Sequence, residues 1–309
     1  MTELRIASFL PAATEMVYAL GLGNQLVGRS HECDYPPEAV QKPVVVKCAM
    51  DLEKLGLAEI DVAVSERVGR GESVYAVDEA MIRATAPNLI ITQDLCHVCA
   101  PSGNEITKVL ASLSPKPEIL WQTPHSFQDV LDAVVELGIK TGHEAKARQL
   151  VREAQAKVDS ITLKTAALAY RPRVFFLEWV DPVYCGGHWI PSMIKWAGGR
   201  DDLAVSGADS VRMSWNDVLK WDPEFLVVAP CGFRTEQAWE QIRILKQKPG
   251  WSSITAVREG KVFAVNANAY FAKPGLRLAE GVELLAHLIH PELFSWSGPG
   301  DAFRRAKPG

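Results

Sequence analysis

Residues 222–232 read DPEFLVVAPCG, in which a proline precedes a continuous apolar run that ends in a cysteine-bearing loop. The same order of features occurs earlier in the chain, where residues 86–96 read APNLIITQDLC. In both places another short apolar segment follows, EILWQ at 118–122 and KVFAV at 261–265. Unbroken apolar runs of this length are typical of strands buried on both faces of a parallel sheet. The repetition predicts two halves of similar construction.

Each half also opens with a predicted strand followed by a predicted helix. Residues 4–10 predict a buried strand, and Thr14 is expected to cap the next helix. In the second half, residues 174–177 predict a strand and Ile190–Trp196 a helix. Strands of continuous apolar character that alternate with helices indicate parallel sheets covered on both faces. Each half is therefore predicted to be a Rossmann-like α/β lobe.

A helical segment separates the two predicted lobes. Residues 143–167 contain no Gly or Pro and are rich in Ala, Glu, Lys, Arg and Leu. Such residues favour a helix, which would be about 38 Å long at 1.5 Å per residue. Ser126 and Asp129 mark the start of a helix before it. The predicted organisation is an N-terminal α/β lobe at 1–125, a helical connector at 126–167 and a C-terminal α/β lobe at 168–309.

The composition excludes several classes of protein. The chain has 309 residues, 48% hydrophobic and 23% charged, as in soluble globular proteins, and membrane insertion is not expected. A net charge of -4 leaves no basic surface for nucleic acid, so no nucleic-acid partner is expected. The first residues lack the pattern of a signal peptide, which predicts a cytoplasmic location, or a periplasmic one if the chain is a trimmed mature form. The protein is expected to be a monomer.

Three segments resemble the helix-linked class of ABC-transporter substrate-binding proteins. They are SFLPAATEMVYALGLGNQLVGRSHECDYPPEA at 8–39, WNDVLKWDPEFLVVAPCGF at 215–233 and YFAKPGLRLAEGVELLAHLIHPE at 270–292. Within that class the chain is most similar to the cobalamin-binding branch, including forms that carry LCHVCA and HECDYP. The resemblance implies two α/β lobes on one helical backbone, with a cobalamin in the cleft between them.

The function implied by this resemblance is the binding of a corrinoid for sequestration, delivery or uptake. An ABC permease would be a partner only if the chain is exported. The same scaffold in relatives holds haem or iron-siderophore chelates, so a haem or siderophore-binding protein is an alternative. A corrinoid-processing enzyme is a second alternative, although no phosphate-binding loop, nucleophile elbow or metalloprotease motif occurs in the sequence.

The loops that follow the predicted strands supply the candidate ligand contacts. Ligands of open α/β sheets bind outside the carboxyl ends of the strands, and a flat corrin requires broad aromatic and apolar walls. For Trp189 and Phe271, packing in the core is an equal alternative. The predicted ligand-binding residues are Pro11, Ala12, Tyr35, Cys96, His97, Trp179, Trp189, Phe233, Tyr270 and Phe271.

The loop TQDLCHVCAPSG at 92–103 contains a Cys-x-x-Cys pair whose role the sequence leaves open. A redox pair belongs at the start of a helix, but Pro101 and Gly103 follow the cysteines here. A zinc site needs four ligands, so the pair would require two more, for which His31 and Cys33 are candidates. A purely structural loop is the third possibility.

Cobalt in a bound corrin offers the same loop another role. Neutral imidazole can occupy an axial position that the macrocycle leaves open. His97 is the predicted axial ligand, His31 is a second imidazole candidate, and Cys96 or Cys99 is a less favoured donor. The alternative is that His97 only donates a hydrogen bond to the ligand or faces solvent. Outside these loops, Asp201 and Asp202 follow a Gly-Gly turn and are expected to be solvated.

Overall fold

The structure is a computed structural model. The residues that it describes are 3–52, 54–93 and 113–307. The chain divides into two compact units. The N-terminal unit comprises Met1–Pro124 and Gln128–Val151, and the C-terminal unit comprises His125–Phe127 and Arg152–Gly309. A separate connector at 126–167, with lobes at 1–125 and 168–309, stays a prediction.

A six-stranded sheet forms the centre of the N-terminal unit, with the strand order β4-β3-β2-β1-β5-β6. Neighbouring strands pair in parallel except β3 and β4, which are antiparallel. All four side chains of β5 are buried, which confirms the apolar run at 89–92 as a central strand. The strands are β1 Ile6–Ser8, β2 Leu26–Ser30, β3 Val44–Cys48, β4 Tyr75–Val77, β5 Leu89–Thr92 and β6 Glu118–Trp121.

Helices pack beside this sheet along their apolar faces. In α4, Val130, Val134 and Leu137 are fully buried, because apolar residues three or four positions apart share one face of a helix. The helix begins next to Ser126, as its start signal predicted. The first four helices in the described part of the chain are α1 Pro11–Ala19, α2 Leu57–Gly69, α3 Glu79–Thr85 and α4 Phe127–Lys140.

The start of α1 corrects one prediction. The helix begins at Pro11 with Leu10 at the N-cap position, so Thr14 does not cap it. Proline suits the first helical position because the missing N–H has no partner there in any helix. Thr14 instead lies buried inside α1, and its hydroxyl donates a hydrogen bond to the Cys33 Sγ at 3.0 Å.

A five-stranded sheet forms the centre of the C-terminal unit, with the order β11-β10-β9-β7-β8. Strand β9 pairs in parallel with β7 and β10, and the edge strands β8 and β11 are antiparallel to their neighbours. The connection at 180–183 is too short for a parallel crossover, which explains the antiparallel β8. The strands are β7 Val174–Trp179, β8 Tyr184–Cys185, β9 Phe225–Val228, β10 Val262–Val265 and β11 Phe303–Arg305.

In both units, helices lie between the parallel strands along the chain, as the predicted α/β alternation requires. Two α/β units with parallel central strands confirm the predicted fold class. The helix predicted at 190–196 occurs at those residues. Three 3₁₀ turns are also described, at Gly23–Gln25, Pro37–Gln41 and Trp251–Ser253. The helices are α5 Glu144–Ala166, α6 Ile190–Trp196, α7 Trp215–Trp221, α8 Thr235–Leu245, α9 Thr255–Arg258, α10 Ala267–Tyr270 and α11 Leu278–Ile289.

Helix α5 confirms the long helix predicted at 143–167. Its first eight residues belong to the N-terminal unit and the rest to the C-terminal unit. In the second part, Val158 and Ile161 are buried, and Nζ of Lys157 lies 3.0 Å from Oε2 of Glu283 on α11. These contacts join α5 to the C-terminal unit. No helix in the described part of the chain combines the length and the apolar character needed to cross a membrane.

Asp201 departs from the expectation that it is solvated. Its side chain is only partly exposed, and its Oδ1 accepts a hydrogen bond from the Leu203 N–H at 3.0 Å. Burial raises the pKa of Asp201 to about 7, and the neighbouring Asp202 carboxylate adds to the rise. Asp202 is exposed, as expected. The folded protein therefore holds a proton on Asp201 that the unfolded chain releases at a lower pH.

Replacing Asp201 with Asn should change how stability depends on pH. Between about pH 4 and pH 7 the unfolded state binds fewer protons at this site, so the free energy of unfolding of the wild type falls as pH rises. The pKa change from 3.8 to about 7 limits the effect to about 4 kcal/mol. Urea denaturation at several pH values should show Asp201→Asn gaining stability relative to the wild type across this window.

Asp202→Asn is the matched control, because it removes a neighbouring exposed carboxylate. We expect its stability to run nearly parallel to that of the wild type over the same range. A constant difference between Asp201→Asn and the wild type from pH 4 to pH 7 would contradict the raised pKa.

Candidate functional site

Two partly exposed aromatic residues meet at the carboxyl ends of β7 and β9 in the C-terminal unit. Trp179 is the last residue of β7, and Phe233 lies in the loop after β9. Their ring centroids are 5.9 Å apart with a T-shaped geometry. The Cys231 N–H donates to the Glu178 carbonyl at 3.0 Å. This hydrogen bond holds the loop after β9 against the end of β7. The structure thus brings together two of the predicted ligand-binding residues at an edge where α/β proteins bind ligands.

Three other predicted contacts are buried in the C-terminal unit. Trp189, Tyr270 and Phe271 are 6%, 5% and 3% exposed. The indole Nε1–H of Trp189 donates to the Phe271 carbonyl at 2.8 Å. The Phe271 ring packs on Phe176 of β7 with centroids 5.2 Å apart. The burial of Trp189 and Phe271 agrees with their packing alternative, Tyr270 is buried as well, and the contact of all three with a ligand stays a prediction.

The predicted residues of the N-terminal unit differ in their exposure. Pro11 is partly exposed at the start of α1, and Ala12 beside it is buried. Tyr35 is 45% exposed. His31 is also exposed, with its ring centroid 6.1 Å from that of Tyr75. Tyr35 and His31 are therefore accessible from solvent, although their roles toward a ligand remain predictions.

The Cys-x-x-Cys loop itself falls outside the described residues. The predicted roles of Cys96, His97 and Cys99 stay predictions for that reason. Of the proposed zinc partners, Cys33 is buried and its Sγ accepts the hydrogen bond from Thr14. The cysteines in the described part of the chain that lie outside any disulfide are Cys33, Cys48, Cys185 and Cys231.

The structure assembles a second group of side chains that sequence reasoning did not predict. One ligand atom each from His125, His188 and Asp209 lies within 4.8 Å of the others. All three residues belong to the C-terminal unit. His188 stands in the Gly186–Trp189 loop, so its type and its loop were visible in the sequence. Its partners come from distant parts of the chain, and nothing local to any one of them indicates the cluster.

The backbone at His188 is held in an unusual conformation. Its φ of 51° lies in the left-handed region, which non-glycine residues seldom adopt and which costs free energy. The His188 N–H donates to the Ala208 carbonyl at 2.6 Å, and the His188 carbonyl accepts from the Gly207 N–H at 2.8 Å. The two hydrogen bonds fix the imidazole beside the loop that carries Asp209.

Glu178 ties the same two loops together. Its Oε2 accepts a hydrogen bond from the Gly187 N–H at 3.0 Å, and its carboxyl group also bonds to the Ser210 side chain. Burial raises the pKa of Glu178, and the hydrogen bonds from Gly187 and Ser210 oppose the rise. Glu178 therefore positions the residues next to His188 and next to Asp209.

The electrostatics of His188 combine opposing effects. Burial lowers its pKa, the Asp209 carboxylate raises it, and the nearby His125 lowers it further. The net direction is downward, which favours the neutral imidazole. Its ring also lies 5.4 Å from the ring of Trp189, measured between centroids, so the aromatic group and the histidine cluster share one loop.

A sequence model for the periplasmic binding protein family matches residues 103–269. An uncharacterized ABC transporter substrate-binding lipoprotein of Bacillus subtilis is 26% identical over 295 residues, which cover 94% of this chain and 81% of that protein. A vitamin B12-binding protein of Vibrio parahaemolyticus is 21% identical over 266 residues, covering 85% of this chain and 82% of the relative.

Solved structures share the fold at lower or similar identity. A periplasmic heme-binding protein of Pseudomonas aeruginosa superposes with a TM-score of 0.73 and 16% identity, covering 98% of both chains. The periplasmic vitamin B12-binding protein of Vibrio cholerae gives a TM-score of 0.67 and 21% identity, covering 94% of this chain and 97% of the other. These likenesses support the architecture described above.

Gly187 makes the close approach of the two loops possible, and its replacement tests that packing. A Cβ at Gly187 would lie 2.3 Å from the Ser210 backbone nitrogen and 2.8 Å from the Asp209 carbonyl carbon. Because backbone atoms cannot yield as a flexible side chain can, Gly187→Ala should lower the free energy of unfolding by about 1 to 3 kcal/mol. Chemical denaturation measures this loss.

Gly69→Ala provides the control, since a Cβ there meets no atom within 4 Å in helix α2. It should be neutral or slightly stabilising, because Ala is favoured over Gly in a helix. Equal stability of the two variants would show that the 187 and 209–210 backbones are not in close contact.

Proposed function

The chain belongs to the periplasmic binding protein family, and we propose that it binds a cobalamin as the substrate-binding component of an ABC transporter. Binding proteins of this kind hold a ligand without transforming it, so we propose no catalytic residue. The permease would be the protein partner. Relatives named as vitamin B12-binding proteins and as an ABC transporter substrate-binding lipoprotein support the proposal, because their matches extend over most of this chain.

The observation that carries the choice of a flat, largely apolar ligand is the Trp179–Phe233 pair. Both rings remain partly exposed at the carboxyl ends of parallel strands. Removing a large aromatic surface from water is energetically favourable, and a planar macrocycle can cover both rings over a broad area. Loops after β7 and β9 hold the rings in a defined geometry, so little ordering is required when the ligand arrives.

Buried residues pack against the strand that ends at Trp179. Trp189 and Phe271 are joined by the indole hydrogen bond, and Phe271 packs against β7, whose last residue is Trp179. A binding surface backed by packed side chains is rigid, which reduces the entropy lost on binding. In the N-terminal unit, the exposed Tyr35 is the further aromatic side chain proposed to contact the ligand.

A titration of the purified protein with hydroxocobalamin tests the proposal directly. We expect one saturable site at micromolar or lower concentration, measured by isothermal calorimetry. Haemin and a ferric siderophore, titrated in parallel, represent the haem and iron-chelate alternatives. Saturable binding of haemin or the siderophore with no binding of hydroxocobalamin would reassign the ligand, and chemical change of the bound corrinoid would support the enzyme alternative.

Trp179→Ala should weaken cobalamin binding by about 1 to 3 kcal/mol, as expected for the loss of an aromatic anchor at a binding surface. The matched control is Trp239→Ala. Trp239, on helix α8, is also partly exposed, but its ring packs against the guanidinium of Arg304 on β11. Calorimetry should find the control unchanged. Equal affinities for Trp179→Ala and the wild type would remove Trp179 from the site.

The axial role proposed for His97 has a spectroscopic test. If its imidazole replaces the cobalt-bound water, aquocobalamin should shift its visible bands on binding to the wild type. The shift should be absent with His97→Ala and present with His143→Ala, which removes an exposed histidine elsewhere in the chain. A shift that persists in His97→Ala but disappears in His31→Ala would assign the axial position to His31 instead.

A further inference from the structure

We infer that His125, His188 and Asp209 form a binding site for a divalent transition-metal ion of the zinc class, within the C-terminal unit. The site requires no corrinoid or other organic ligand. It therefore adds to the proposed binding function, and it does not depend on that function being correct.

The distances fit the coordination sphere of such an ion. Nε2 of His188 lies 3.1 Å from Oδ1 of Asp209. Two ligands about 2.0 Å from a tetrahedral Zn²⁺ are about 3.3 Å apart, so these two atoms already have nearly the separation that the ion requires. The His125 donor lies within 4.8 Å of both, a gap that a small movement of an exposed side chain can close.

An unsatisfied nitrogen supports the assignment independently. Nε2 of His188 is buried and has no hydrogen-bond partner of adequate geometry among the described residues, although Asp209 is near it. A buried polar atom without a hydrogen bond costs free energy. A metal ion between the imidazole and the carboxylate would satisfy both groups.

The backbone around the cluster is preorganised. His188 is held at a positive φ by hydrogen bonds to Ala208 and Gly207, and Glu178 bonds to the residues adjoining both ligands, Gly187 and Ser210. Strained residues that the surrounding structure maintains are concentrated at functional sites. Here the strain places an imidazole next to a carboxylate, which is the arrangement that a metal ion needs.

The donor types narrow the choice of ion. Two imidazoles and one carboxylate suit Zn²⁺, Ni²⁺ or Cu²⁺, whereas Ca²⁺ and Mg²⁺ prefer oxygen ligands alone. His125 is exposed and the Asp209 side chain is 82% exposed, so water can occupy the fourth position. Three protein ligands with one open position are typical of zinc sites that exchange a ligand.

Metal titration of chelator-treated protein tests the inference. The starting protein carries Cys96→Ser and Cys99→Ser, because that pair is a second candidate zinc site. Zn²⁺ is titrated by calorimetry, and Co²⁺ serves as a spectroscopic substitute whose visible bands report four-coordinate ligation. We expect one equivalent of Zn²⁺ to bind. His188→Ala and Asp209→Asn, each added to this background, should weaken Zn²⁺ binding at least tenfold, since even residues that only support metal ligands contribute that much.

His143→Ala in the same background is the matched control, since His143 is an exposed histidine of the N-terminal unit, and its affinity should stay unchanged. Asp209→Asn alters an exposed side chain and should keep the fold, which circular dichroism checks. Unchanged affinity in Asp209→Asn and His188→Ala, or absence of Zn²⁺ binding to the starting protein, would overturn the inference.

Discussion

The parallel pairing of β7 with β9 is the constraint from which the candidate surface of the C-terminal unit follows. The register runs from Val174 opposite Phe225 to Leu177 opposite Val228, and these side chains are buried. Burial on both faces keeps these apolar side chains out of water, which stabilises the paired strands. Because the strands run in the same direction, their loops leave at the same edge. Trp179 and Phe233 meet there as a direct consequence.

One partly buried carboxyl group, that of Glu178, connects two loops near that edge. Glu178 precedes Trp179 on β7 and receives the hydrogen bond from Gly187, while Ser210 bonds to the same carboxyl. Glu178 thereby adds side-chain hydrogen bonds to the backbone contacts and to the His188–Asp209 contact that also join these two loops. The close approach at Gly187 and the left-handed conformation of His188 are the cost of this arrangement. Trp189 of the buried aromatic group and His188 of the histidine cluster are adjacent in one of these loops.

Ligand specificity cannot come from the fold alone. Relatives of the same architecture are named for vitamin B12 and for heme, so the strands and helices serve as a common frame. Selection between such ligands depends on the side chains at the carboxyl ends of the strands. In this chain these include the exposed Tyr35 after β2 and the partly exposed Trp179 and Phe233 at the ends of β7 and β9.

The sequence by itself determined the two α/β units, the central strands, helix α5 and the position of α6, because these depend on local composition and on apolar periodicity. It also indicated Trp179 and Phe233 as loop residues at strand ends. Thr14 was misjudged because Pro11 starts α1 earlier, and Asp201 because its burial depends on the surrounding tertiary structure. The burial of Trp189 and the meeting of His125, His188 and Asp209 were decided only by the tertiary structure, since packing joins residues whose local sequences carry no common signal.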